Sequence, residues 1–172
     1  TIKSGSKVTY NDSGLKAGKT YYYKIEAYKG SGSSKGYSGY SSAVYGKTAK
    51  KTSITYVISS DSTTLKIGWK EIDGAYGYRI KRSTSKSGTY TTIDVVTGSG
   101  KTSYTDKKLK AGKTYYYKIE TINKVNGKKG YSGDSKAVAG TVLKTTTITK
   151  AKENDSKTIT LTWKKVTGAD GY

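Results

Sequence analysis

The feature that most restricts the fold of this 172-residue chain is a long internal repeat. Leu15–Glu26 and Leu109–Glu120 both read LKAGKTYYYKIE, and the second copy begins 94 residues after the first. The same offset aligns Trp69 with Trp163, and the whole overlap aligns without insertion or deletion. A period of 94 residues is too long for a solenoid unit and matches the size of an independent domain.

The repeat divides the chain into three parts. One complete unit occupies residues 52–143, residues 1–48 align with the second half of that unit, and residues 144–172 align with its first third. Two interpretations stay open. The chain is a window on a longer tandem array, or neighbouring copies of it complement one another head-to-tail.

The complete unit is rich in short runs of strand-forming residues, separated by turn signals such as Asp73-Gly74 and Asn126-Gly127. No window shows the 3.6-residue period of a helix. The pattern therefore predicts an all-β sandwich of seven strands. The predicted strands are Ile54–Ile58, Thr64–Lys70, Tyr76–Arg82, Thr89–Val95, Thr102–Thr105, Lys113–Ile122 and Ser135–Val142.

Alternation along these strands separates inward from outward side chains, because successive residues of a strand point to opposite faces. The repeated Tyr-Tyr-Tyr run is consequently read as mostly core, with its middle tyrosine facing outward. The side chains predicted to face the core by this period are Leu65, Ile67, Trp69, Tyr78, Ile80, Tyr115, Tyr117 and Ile119.

Four tyrosines are candidates for surface contacts. Tyr22 and Tyr116 are the outward members of the two Tyr-Tyr-Tyr runs. Tyr37 and Tyr131 lie in a second recurring motif, KGYSG. Tyrosine combines a flat apolar ring with a polar hydroxyl, which suits an exposed binding surface.

Composition excludes several kinds of chemistry. The chain has no Cys and no His, which rules out thiol catalysis, Ser-His triads and ordinary zinc sites. The paired acids Glu71 and Asp73 align with Lys165 and Thr167 in the next unit, so the pair does not recur. We predict no catalytic, cofactor-binding or metal-binding residue, and no membrane span, because no long apolar run is present.

The net charge of +20 comes from 32 basic and 12 acidic residues, and all the basic residues except Arg79 and Arg82 are lysines. Such a charge favours contact with anionic polymers and also keeps a repetitive protein soluble. The lysines are scattered rather than clustered around Arg forks and aromatic platforms, so specific reading of nucleic acid is not expected.

Several residues together resemble the fibronectin type III family of the immunoglobulin-like class. They are Trp69 in the second predicted strand, Gly-Tyr-x-Ile at 77–80 in the third, and Leu-x-x-Gly-x-x-Tyr at 109–115 before the sixth. The resemblance implies that Tyr115 forms a tyrosine corner and that Leu109 is buried. Applied across the repeat, it adds these core residues: Leu15, Tyr21, Tyr23, Ile25 and Trp163.

The sequences of residues 74–93 and 102–119 are similar to the variant of this family found in surface and secreted proteins of Gram-positive bacteria. One departure is the absence of proline, since Ala17 and Ala111 precede the glycine of the corner. The resemblance implies an extracellular or cell-surface location.

Three functions follow as hypotheses, none of them catalytic for this chain itself. The modules are structural spacers in a cell-wall or fibre-forming repeat protein. Alternatively, they bind an anionic wall polymer or polysaccharide as an adhesion module. The third hypothesis is an accessory module of a wall hydrolase or glycosidase. The expected partners are neighbouring repeats and, under the second hypothesis, the polymer.

Overall fold

The computed structural model describes residues 1–172 and consists of strands and connecting segments without a helix. None of its elements is therefore an apolar helix of membrane-spanning length. The first segment contains four short strands, which are β1 (Thr20–Tyr23), β2 (Tyr28–Lys29), β3 (Gly36–Tyr37) and β4 (Val44–Lys47).

The complete unit contains eight strand segments, and the last segment of the chain contains a hairpin. The strands of the unit are β5 (Ile54–Asp61), β6 (Thr64–Trp69), β7 (Gly77–Ser83), β8 (Thr91–Thr97), β9 (Ser103–Asp106), β10 (Thr114–Val125), β11 (Lys128–Asp134) and β12 (Val138–Thr141). The hairpin strands are β13 (Ile148–Asp155) and β14 (Thr158–Trp163).

Two antiparallel sheets form the complete unit. One has the order β5-β6-β9, and the other has the order β11-β10-β7-β8 with β12 also paired to β10. The fourth strand, β8, thus pairs with β7 and not with the three-stranded sheet. Alternating apolar residues on the facing surfaces of the two sheets make an all-β sandwich, as the sequence predicts.

The core lies between the two sheets. Its cluster of buried apolar side chains includes every residue proposed for the core of the complete unit, together with Ile72, Ala75 and Val142. Trp69 and Tyr78 meet edge to face with ring centroids 5.4 Å apart. Burying an aromatic or large aliphatic side chain stabilises a fold by about 1.5–3 kcal/mol, so this cluster is the main source of stability.

The prediction of one strand over Ser135–Val142 is wrong in its bounds. The segment that pairs with β10 begins earlier, at Lys128, and its pairing is interrupted between β11 and β12. At the interruption the hydroxyls of Ser132 and Ser135 replace backbone carbonyls as acceptors. They accept hydrogen bonds of 3.0 Å from the N–H groups of Thr121 and Ile119, respectively.

The same replacement occurs in the first segment. The N–H of Ala27 donates to the Ser38 hydroxyl at 2.9 Å, and the N–H of Ile25 donates to the Ser41 hydroxyl at 3.1 Å. Serine hydroxyls compete with the backbone for such bonds, which explains why the strand is split in both copies.

Two core predictions in the flanking segments are wrong. Ile25 is 77% exposed and Trp163 is 43% exposed, whereas their counterparts Ile119 and Trp69 are buried. The reason is that an inward-facing side chain needs a second sheet opposite it. Residues 1–48 contain no counterpart of β5 and β6, and β13 and β14 face no counterpart of β7 and β10. The other flanking predictions, Leu15, Tyr21 and Tyr23, are half-buried.

Short joints connect successive units. Residues 48–53 join β4 to β5, and residues 142–147 join β12 to β13. In the first joint the Thr52 hydroxyl donates to the Lys70 carbonyl, and in the second the Thr146 hydroxyl donates to the Lys164 carbonyl. Each acceptor follows the strand that ends in tryptophan, β6 or β14. The end of each joint is therefore fixed to the unit that follows it by a hydrogen bond that recurs with the repeat.

Candidate functional site

A tyrosine corner closes the loop before β10. The Lys110 N–H donates to the Tyr115 hydroxyl oxygen at 3.1 Å. In the first segment the Lys16 N–H donates to the Tyr21 hydroxyl oxygen at 2.8 Å. Both tyrosines thus have the role that the resemblance implies, and that role is structural.

A buried polar network lies beside the corner. The Tyr117 hydroxyl donates to Asp106 Oδ2 at 2.7 Å. Arg82 Nη1 donates to both carboxylate oxygens of Asp106, at 2.9 and 2.8 Å. Burial and the Asp106 carboxylate both raise the pKa of the Tyr117 hydroxyl, so Tyr117 stays protonated.

This network is a closed structural unit, because the buried acid is paired with a cation and a hydroxyl. Its tyrosine–aspartate half recurs in the first segment, where the Tyr23 hydroxyl donates to Asp12 Oδ2 at 3.0 Å. Sequence reasoning missed Asp106 and Arg82. The signal that finds the aspartates is their place in the repeat, since Asp12 and Asp106 both lie before the repeated motif at the same offset.

The acids of the complete unit serve structural roles in the contacts that the structure shows. No group of three or more Asp or Glu residues is placed to hold a metal ion. The Asp61 carboxylate instead caps its own turn by accepting from the Thr63 N–H at 2.7 Å, and this bond lowers the pKa of Asp61.

The outer face of the five-stranded sheet carries a ladder of ion pairs. Glu120 lies 2.8 Å from Arg79 and 3.2 Å from Lys81, and Asp134 lies 2.6 Å from Lys81 and 3.8 Å from Lys118. Burial lowers the pKa of the Lys81 ammonium, but its hydrogen bonds to the two acids outweigh that effect and raise the pKa. The ladder balances most of its own charge, which makes this face a weak candidate for binding anions.

The four tyrosines proposed as surface contacts lie in two pairs, one in the complete unit and one in the first segment. Tyr131 is stacked under the Arg79 guanidinium at 4.1 Å, and Tyr116 is half-buried on the same sheet. In the first segment Tyr22 packs on Tyr45, with ring centroids 6.1 Å apart. Tyr37 packs on Tyr28 at 6.4 Å.

No protein-family model matches the chain. An amylopullulanase of Thermoanaerobacterium thermosulfurigenes is 30% identical over 90 residues, a stretch that covers 52% of this chain and 5% of that enzyme. A solved Fn3-like protein of Clostridium thermocellum is 29% identical with a TM-score of 0.45, covering 53% of this chain and 90% of that one. The human fibronectin type III domain of KIAA0970 is 22% identical with a TM-score of 0.38, covering 53% and 69%.

Three observations describe the complete unit: the order of its strands, the tyrosine corner at Tyr115 and the buried Trp69. The unit has the fibronectin type III fold. The chain spans about 5% of the length of the amylopullulanase that it matches.

Proposed function

We propose that the chain is a stretch of a non-catalytic array of fibronectin type III-like modules that act as spacers in an extracellular or cell-surface protein. The observation that carries the proposal is that each joint leads, in both copies, directly into the hydrogen-bonded first strand pair of the following unit. The Lys70 N–H donates to the Ser53 carbonyl at 2.9 Å, and the Lys164 N–H donates to the Thr147 carbonyl at 3.0 Å.

Apolar contact reinforces the second joint. Val166 is buried although β13 and β14 face no second sheet, whereas its counterpart Ile72 belongs to the core of the complete unit. At the second joint a Cβ placed on Gly168 would stand 3.7 Å from Leu143 Cδ2, so the linker leucine lies against the turn of the following unit. A short linker that is hydrogen-bonded and packed holds neighbours more firmly than a flexible one.

The pattern of change between copies also supports a spacer. Core and corner positions keep their character at the 94-residue offset, and two joint residues, Lys50 and Thr52, recur as Lys144 and Thr146, while the loops at 29–34 and 123–128 differ in sequence. A scaffold needs the first group of residues, whereas a repeated binding site would need recurring surface loops.

The spacer proposal is tested by the length of arrays built from two, three and four copies of residues 50–143. We expect the maximum dimension from small-angle X-ray scattering to grow linearly with copy number. Inserting four Gly-Ser pairs between Lys50 and Lys51 should make the array shorter and more variable than a rigid rod of the same copy number. If the maximum dimension of the uninterrupted array grew more slowly than linearly with copy number, as it does for a flexible chain, the proposal would be contradicted.

A second candidate function is an accessory module beside a glycosidase. The similarity to the amylopullulanase favours it, and it also fits an extracellular location. The test is affinity electrophoresis of the chain in gels containing pullulan. Slower migration that is lost in a Tyr37→Ala and Tyr131→Ala variant supports the accessory module, and unchanged migration leaves the spacer as the better explanation.

A further inference from the structure

The joint between the first segment and the complete unit encloses a cleft of about 470 Å³. Linker residues 47–53 form one wall, and residues 70–73 with Asn123 form the other. Four lysines line the cleft: Lys47, Lys50, Lys51 and Lys70.

The charges of these lysines are not neutralised by ion pairs. None of the four lies within 4 Å of a carboxylate, since every ion pair of the structure involves Arg79, Lys81, Arg82 or Lys118. Glu71 and Asp73 also line the cleft, yet neither forms an ion pair there. Four lysines against two acids leave an excess of positive charge around one concave space, and the resulting positive potential attracts anions.

The placement of the lysines follows the structure of the joint. The Lys47 side chain lies so close to Gly74 that a Cβ atom added to this glycine would be 2.9 Å from Lys47 Nζ. A Cβ atom added to Gly133 would be 3.5 Å from Lys51 Cε. Both linker side chains therefore lie against glycines of the following unit. The cleft is consequently a product of two modules in contact, and a single module does not possess it.

Two of the four lysine positions recur at the second joint, whereas Lys47 and Lys51 align with threonines and neither acid recurs. At the second joint Lys144 and Lys164 stand in the places of Lys50 and Lys70, and Lys165 replaces the glutamate. The side-chain position also recurs, because Lys50 lies over Gly18 and Lys144 lies over Gly112. In the second joint the position of Asp73 is held by Thr167, which leaves three lysines and no acid.

We propose that the cleft at the first joint binds a linear polymer of phosphate groups. Lysine ammonium groups bind phosphate as point charges, so several of them around one concave space suit a chain of closely spaced phosphate charges. Because lysines also stand at the second joint, we expect one polymer to contact both joints, and the linked contacts raise its overall affinity. This inference does not depend on the spacer role, which requires no ligand.

The test compares two triple variants of the 172-residue chain that remove the same charge. The joint variant carries Lys50→Gln, Lys51→Gln and Lys70→Gln. The control variant carries Lys86→Gln, Lys107→Gln and Lys136→Gln, which are exposed lysines outside the cleft and outside every ion pair. All six side chains are exposed, so unchanged circular dichroism is expected for both variants.

Binding of linear polyphosphate is measured by titration calorimetry from low to moderate salt. We expect the joint variant to lose at least about tenfold in affinity and the slope of log K against log salt to become shallower by about 2, as three lost phosphate contacts predict. The control variant should lose less than twofold. Equal losses in the two variants would show a diffuse charge effect and overturn the proposal.

A second arm replaces polyphosphate with a polyuronate of matched length. Weaker binding of the carboxylate polymer supports phosphate as the ligand group. Equal or tighter binding that is lost in the joint variant would assign the cleft to an acidic polysaccharide, and the phosphate proposal would be wrong.

Discussion

The twelve residues LKAGKTYYYKIE occur twice in this chain and end in two different environments. In the complete unit Ile119 is fully buried, whereas Ile25, the same residue of the first copy, is 77% exposed. The first copy supplies the four-residue strand β1, and the second lies in the twelve-residue strand β10. Identical local sequence therefore determines neither burial nor strand length.

Other features are the same in both copies. Each has the lysine N–H to tyrosine hydroxyl bond of the corner, and each has the tyrosine to aspartate bond. These contacts join residues close in sequence, so they form without the opposing sheet. Burial of Ile119 and Tyr117 instead requires β5 and β6, whose counterparts do not face β1. The comparison separates what the motif encodes by itself from what the sandwich adds.

The largest effect that tests this separation comes from truncating the isoleucine in each copy. Ile119→Ala should lower the free energy of unfolding of the complete unit by about 2–5 kcal/mol, because it removes buried methyl groups and leaves a cavity. Ile25→Ala should change it by less than about 0.5 kcal/mol, as expected for an exposed site. Urea unfolding followed by tryptophan fluorescence gives both values, and similar losses in the two variants would mean that Ile25 is buried in solution.

A smaller effect is expected at high pH from Tyr117. Its pKa is raised in the folded state, so above about pH 10 the unfolded state loses a proton that the folded state keeps. The contribution of Tyr117 to the free energy of unfolding should therefore be constant below pH 10 and should fall by about 1.4 kcal/mol per pH unit above it.

The control for this pH dependence is Tyr117→Phe. The variant cannot ionise at this position, so its free energy of unfolding should fall less steeply than that of the parent between pH 10 and 11. It should also be destabilised by about 1–3 kcal/mol at pH 7, because Asp106 loses one of its buried partners. Parallel slopes above pH 10 would show that Tyr117 ionises as freely in the folded unit as in the unfolded chain.

The split strand gives a third test at the level of single amides. Ser135→Ala removes the acceptor of the buried Ile119 N–H, and we expect a destabilisation of about 1–2 kcal/mol with faster hydrogen exchange at that amide. Ser41→Ala removes the acceptor of the Ile25 N–H, which is near solvent and can bond to water instead. Exchange at Ile25 should change less, and an equal change would argue that the two splits are equally buried.

The sequence was sufficient for the first six strands of the complete unit and for most of its core, because both depend on the period-2 pattern and on the repeat. It was insufficient for Ile25 and Trp163, since their exposure is decided by strands elsewhere and not by their neighbours in sequence. The pairing of Arg82 with Asp106 likewise joins β7 to β9 across the sandwich. The split between β11 and β12 was missed because it depends on serine hydroxyls acting as backbone acceptors, which hydrophobic patterning does not register.

The smallest expected effect is at the tyrosine corner, and here the two copies should agree. Tyr115→Phe removes the acceptor of the Lys110 N–H, and Tyr21→Phe removes that of the Lys16 N–H. Each substitution should lower the local stability of the corner by about 0.5–1.5 kcal/mol. The measurement is hydrogen exchange at the lysine amide, which should become faster. Because the corner bond spans five residues in both copies, the change in exchange should be similar despite the different burial of the two segments. A large change at Lys110 with none at Lys16 would show that the corner, too, depends on the opposing sheet.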